Sequence, residues 1–263
     1  MTADVPLRSS LVVESLVFAR QLLTQWRRSP TVPMQALLFP TFLLITYYLL
    51  VGKSILQITG TDSLAGLVPT CAIAGAFSGA LAAGLSLPTQ RKSGLLSRLW
   101  VQPVHRASAL IGRLLAEAVR TLLGTIVITG VGIGLGLRFK GSWLAVIPFM
   151  LVPVLVVLVF SMAVTAIAVR SEQGATLIWL GLPAISAVFA SSGSPPVESL
   201  PSWTWPLLEL QPMAPTVESM RALAQGRPAL EPFLMTVGWG LVLAAIIGPL
   251  AVRRYRAAAE YGR

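Results

Sequence analysis

Long apolar runs, each close to the width of a bilayer, alternate along this chain with short intervals that hold nearly all of its charge. About 20 apolar residues in a helix cross a hydrocarbon core of roughly 30 Å. Six runs reach that scale, at about 34–52, 64–88, 114–137, 143–169, 174–192 and 233–252. The fourth carries no charge at all; Pro148 and Pro153 interrupt its first half, which membrane helices tolerate where neighbours satisfy the freed carbonyls. Before the first run, residues 9–28 have helical periodicity. Leu11, Val12, Leu16, Phe18, Ala19, Leu22, Leu23 and Trp26 share one face, and Glu14, Arg20, Gln21, Thr24, Gln25, Arg27 and Arg28 occupy most of the other. The pattern predicts a helix lying in the membrane interface, with Arg20, Arg27 and Arg28 at the phosphates and Trp26 at headgroup depth. Pro30 and Pro33 then end it.

The longest polar interval, 193–231, contains Pro195, Pro196, Pro201 and Pro206, which exclude a long helix there. Residues 216–225 can form a short helix stopped by Gly226 and Pro228, so the interval reads as a folded external cap or re-entrant hairpin.

Composition agrees with the pattern. Of 263 residues, 55% are hydrophobic and 11% charged, against about 25% charged in soluble domains. The class is an all-α polytopic membrane protein, one transmembrane domain over 1–263, with no cleaved signal peptide expected. The net charge of +10 does not point to nucleic acid, because the basic residues flank the apolar runs. Fifteen lie on one side: Arg8, Arg20, Arg27 and Arg28; Arg91, Lys92, Arg98, Arg106, Arg113 and Arg120; Arg170; and Arg253, Arg254, Arg256 and Arg263. Lys53, Arg138, Lys140, Arg221 and Arg227 lie on the other. Positive charge accumulates inside, so both termini are expected in the cytoplasm.

Familiar chemistry is missing from the sequence. There is no GxxxxGK[ST] phosphate loop and no HExxH; the single histidine, His105, stands beside Arg106 without a neighbouring carboxylate. The single cysteine, Cys71, lies within an apolar run, so neither a disulfide framework nor a metal site is expected. The GAFSG fragment at 75–79 departs from the GxSxG nucleophile elbow and reads as a packing face, with Gly75 and Gly79 four apart. Gly130, Gly132, Gly134 and Gly136 lack the strand a dinucleotide site needs, and their spacing favours close helix packing.

Two polar features remain. Arg113, Glu117 and Arg120 are spaced so that one turn brings Glu117 near both arginines; they fit either a structural ion pair or a polar latch at the inner mouth of a path. In the interval before them, Leu95, Leu96, Leu99 and Trp100 share one face of a short helix. Arg91, Lys92, Arg98 and Gln102 lie elsewhere on it, and Gly94 and Pro103 punctuate its ends. Lipid contact and docking into a groove on a cytosolic partner both use this spacing.

The segment QRKSGLLSRLWVQPVHRASALIGRLLAEAVRTLL resembles the loop of type-2 ABC exporter permeases of the daunorubicin-resistance type, a group that includes mycobacterial envelope-lipid exporters. QPMAPTVESMRALAQG is similar to that family's element before the last span, with Pro212, Arg221 and Gly226 at its marked positions. The resemblance covers nearly the whole chain. It implies six transmembrane helices, a second permease subunit (identical or homologous) and a cytosolic ABC ATPase dimer that binds the ATP and Mg. This chain would then be no enzyme and hold no cofactor, in a multi-pass position in a bacterial cytoplasmic membrane. Arg91, Lys92, Gly94, Leu95, Leu96, Arg98, Leu99, Trp100 and Pro103 would form the coupling helix, over 91–103, that receives ATPase movement. Gln90 departs from the family, which usually has an acidic residue there. The expected cargo is a lipid or glycolipid, placed ahead of a hydrophobic drug or antibiotic. An intramembrane enzyme lacks a base–nucleophile pair; a self-contained channel or secondary transporter would favour ionisable residues within spans and discontinuous helices, and spans four and five carry no such charges.

Overall fold

The computed structural model describes residues 10–28, 31–59, 63–87, 107–169, 175–191 and 211–260, and these form eight α-helices and one 3-10 turn. In chain order they are α1 (Leu11–Arg28), α2 (Thr31–Thr59), α3 (Leu64–Leu85) and α4 (Ser108–Leu135). After a 3-10 turn at Trp143–Ala145 come α5 (Val146–Ala168), α6 (Ala175–Ala190), α7 (Met213–Gln225) and α8 (Leu230–Glu260).

α3 is the axis of the bundle. It packs against α2, α4, α5, α6 and α7, and 89% of its apolar window is buried, against 6% for α8. Its sequence explains this, because Ala and Gly recur on every face and let five neighbours approach closely. Gly75 receives the Pro40 ring of α2, Gly84 receives Val164 of α5, and Phe77 stacks on Phe160 at 4.1 Å between ring centroids.

Among the described residues, four helices are long and apolar enough to cross a membrane: Leu64–Leu85, Ser108–Leu135, Trp143–Ala168 and Leu230–Arg254. Shorter apolar stretches lie in α2 (Leu37–Leu50) and α6 (Thr176–Ala190). The outward surface is apolar as well, with Leu50 and Trp179 about three-quarters exposed. An outside as oily as the inside suits hydrocarbon as the solvent, and the chain is a multi-pass membrane protein.

Several boundaries differ from the sequence expectation. α4 begins at Ser108 rather than near 114, because Ser108, Gly112 and Ala116 form a buried small-residue face that tertiary contact holds helical. α8 runs on to Glu260, so Arg253 and Arg254 are helical, and Arg254 Nη1 donates to the Ala166 carbonyl of α5 at 3.3 Å. Pro148 falls in the first turn of α5, where no intrahelical donor is lost, and only Pro153 lies inside the helix.

The alternate glycines divide their work instead of forming one packing face. Gly132 takes Val68 of α3, and Gly136, at φ 118°, ends α4 with Leu137 N–H donating to the Gly132 carbonyl at 2.8 Å. Gly130 and Gly134 face open space.

α7 is integral to the bundle. Thr216, Val217, Met220 and Ala224 are buried against α3, α5 and α8. Its C-terminus meets the α4–α5 turn, where Lys140 N–H donates to the Ala224 carbonyl at 3.0 Å and Gly141 lies directly against Gly226. Gly226 has φ 68°, so this position needs both a left-handed backbone and the absence of a side chain.

Candidate functional site

The sequence isolated Arg113, Glu117 and Arg120 as charges entering an apolar helix, and all three are buried. A charge deep in a bilayer costs about 2.5–3.5 kcal/mol even on the insertion scale, so each needs a partner. Arg120 pairs with Glu117, its Nε donating to Glu117 Oε2 at 3.0 Å and its Nη2 closing on the same oxygen. Nη2 also reaches the Ala76 carbonyl of α3 at 3.4 Å. Gly79 is what admits it, because a Cβ there would overlap the guanidinium.

Arg113 does not simply repeat this pairing. Its Nη2 donates to the Ala83 carbonyl, in the last turn of α3, at 2.6 Å. That carbonyl lies at the negative end of the helix dipole, where a cation is favourable. Arg113 and Arg120 are seven residues apart on α4, as Ala83 and Ala76 are on α3. The antiparallel helices are therefore tied at two rungs about two turns apart, in one register.

α1 closes this assembly. It packs mainly on α4, and its backbone crosses at Gly112, where a Cβ would crowd Phe18 Cβ at 2.5 Å and the Ser15 carbonyl at 2.7 Å. Glu14, Ser15 and Ala19 are buried in the contact. Trp26 comes over Arg120, with Cζ 5.9 Å from its ring, within cation–π range. Arg20 and Arg27 are exposed, and Arg28 closes the helix. The single apolar face read from the sequence is thus divided. Leu11, Phe18, Ala19, Leu22 and Trp26 turn toward α4, whereas Val12 and Leu16, with Val13 and Val17 beside them, stay more than half exposed.

Sequence reasoning missed this docking. Its signal was present as two small-residue series, Ser15 and Ala19 on one helix and Ser108, Gly112 and Ala116 on the other, each at spacing four.

The three cap residues fall on one short element. Pro212 is the N-cap of α7 and Gly226 its left-handed C-cap. Arg221 Nη1 lies 3.5 Å from Glu218 Oε2, while Arg227 Nη2 donates to the other oxygen of Glu218 at 2.7 Å. Burial pulls Arg221 below the ordinary arginine range, with Glu218 opposing the shift. The expected coupling residues Arg91, Lys92, Gly94, Leu95, Leu96, Arg98, Leu99, Trp100 and Pro103 lie outside the described residues, as do Gln90 and 192–210 of the cap. The ends of that interval are described, and they are the ends of α3 and α4 that the Arg113 rung ties.

Comparisons with known proteins agree with this architecture. The chain is 33% identical over 247 residues to the probable doxorubicin resistance ABC transporter permease protein DrrC of Mycobacterium tuberculosis, covering 94% of this chain and 90% of that one. It is 25% identical over 260 residues to the daunorubicin resistance ABC transporter permease protein DrrB1 of Streptomyces coeruleorubidus, covering 95% and 89%. Over 218 residues it is 25% identical to the putative transport permease ycf38 of Cyanophora paradoxa, covering 81% and 74%. Residues 14–224 match the family described as ABC-2 type transporter, and the chain belongs to that family of ABC transporter permeases.

Proposed function

We propose that this chain is the membrane-spanning permease of an ATP-driven exporter that expels a hydrophobic drug, with nucleotide chemistry confined to a separate ATPase dimer. The observation that carries the reading is the near full-length similarity to permeases named for doxorubicin and daunorubicin resistance. On those names the order expected from sequence is reversed, and a drug stands ahead of a lipid or glycolipid. α2 and α6 complete six crossings, both termini face the cytoplasm of a bacterium, and a second permease subunit completes the path. The interval after α6, continuing into α7, forms the external cap.

Movement enters through 91–103, between α3 and α4. The rungs at Arg113 and Arg120 make the two helices respond as one body, and α1, clamped at Gly112, moves with them. Loose helices would dissipate the same push.

The test is co-reconstitution with the ATPase, measuring ATP-dependent accumulation of doxorubicin in inside-out vesicles. Accumulation that needs both proteins and nucleotide is the expected result; equal transport by this chain alone, indifferent to nucleotide, refutes it. Trp100→Ala and Leu96→Ala are expected to hydrolyse ATP without exporting, with membrane insertion intact. Normal export by both would remove 91–103 from the coupling route.

A further inference from the structure

α6 and α8 are not packed along each other, although both lie against α5. Between them is a cavity of about 280 Å³, open on one side, with Phe77 and Phe160 at its base and the start of α7 at one end. Ala163, Ala184 and Ala187 leave the space, and the partly exposed Trp239 of α8 stands in its wall.

Both hydroxyls of the lining and the Gln211 amide N–H are already engaged. Thr216 Oγ1 donates to the Pro212 carbonyl and Thr236 Oγ1 to the Pro232 carbonyl, each at 2.8 Å. The Gln211 amide donates to Ser191 Oγ at 2.6 Å and approaches the Ala187 carbonyl at 3.4 Å. The wall therefore recognises hydrocarbon. At this volume, just below the roughly 300–1,000 Å³ of ordinary small-molecule pockets, it suits part of an amphiphile better than a whole drug.

We propose that this cleft holds one hydrocarbon chain of an amphiphile, supplied by the bilayer. The inference rests on the membrane-spanning reading of α5 and α8 and is independent of what is exported. An apolar void in a membrane protein loses the dispersion contacts of its lining. A cleft open toward hydrocarbon regains them when a chain enters, and the chains of neighbouring lipids are the most concentrated source. An exported amphiphile offers the same chemistry at far lower concentration.

Native mass spectrometry of the detergent-purified permease, prepared from phosphatidylglycerol vesicles, counts the phospholipids each chain retains. Ala163→Phe and Ala184→Phe fill the cavity and are expected each to retain one phospholipid fewer than the native chain. Leu241→Phe, on the exposed side of α8, is expected to change nothing. Should the phenylalanine variants fold poorly, Ala184→Leu makes the same test with less bulk. A chain retaining Trp239 as its only tryptophan supplies a second reading. After loading with brominated-chain phosphatidylglycerol and transfer to unbrominated detergent, its fluorescence should stay quenched at least two-fold, and Ala184→Leu should abolish that residual quenching. An unchanged phospholipid count, or full recovery of native fluorescence on transfer, overturns the proposal. The source is read from doxorubicin-stimulated hydrolysis by the complex with its ATPase. Lost lipid with half-saturation unchanged supports a bilayer lipid; unchanged lipid with half-saturation raised tenfold overturns the lipid site in favour of a drug subsite.

Discussion

Where α3 meets α4, two arginines tie the helices together; where α6 faces α8, hydrocarbon walls leave them apart. The tied region is dense: Glu117 is 1% exposed, Gly79 and Gly112 are filled by their neighbours, and each guanidinium reaches across to an α3 carbonyl. The open region keeps the Thr216 and Thr236 hydroxyls bonded within their own helices. In lipid, apolar surfaces have little reason to prefer each other to the solvent, so close packing and hydrogen bonds decide which helices stay together. One end of the protein is therefore tied together across helices, and one flank is left open.

Substitutions should divide along the same line. Arg120→Ala strands the buried Glu117 carboxylate and should cost about 3–5 kcal/mol, read as a lowered midpoint of SDS-induced unfolding in micelles. Combining Arg120→Met with Glu117→Leu removes both charges and should recover most of that loss; a double variant as unstable as Arg120→Ala would mean the pair is not what binds α4 to α3. Arg113→Ala removes a charged hydrogen bond to the end of α3, for about 1.5–3 kcal/mol in the same titration. Gly112→Ala inserts a methyl between α1 and α4 and should cost about 1–3 kcal/mol, with faster proteolysis at 10–28. If protease sensitivity there is unchanged, α1 is not held by that crossing. In the open flank, Thr236→Val exchanges an intrahelical bond for a methyl and should stay within about 0.6 kcal/mol. A loss as large as that of Arg113→Ala would erase the distinction.

The apolar runs made the helices readable because bilayer-length periodicity is a property of one segment at a time. The helical cores of 64–85, 146–168 and 233–252 needed no partner to be recognised. What depends on a second segment was read less well. Arg113 was expected on Glu117 by spacing, but the carbonyl it takes, Ala83, belongs to another helix. Gly130 and Gly136 look alike in sequence and differ in the structure, one facing open space and the other turning the chain. α1 was read as lying on lipid because a hydrophobic wheel does not distinguish lipid from Gly112 of α4. Family likeness identified 91–103 as the coupling segment, and that expectation still rests on residues outside those described.

The clamp of α1 onto α4 also has a consequence for synthesis. Gly112 follows Ser15 by almost a hundred residues, so α1 leaves the ribosome long before its docking surface exists. During that interval Glu14 and Ser15 have no helix to lie against, while Val12, Val13, Leu16 and Val17 already suit the membrane surface. The exposed valine and leucine face is available to lipid throughout, whereas the buried face of α1 is covered only once α4 is in place. Of these two helices, the one made first is secured only when the second arrives.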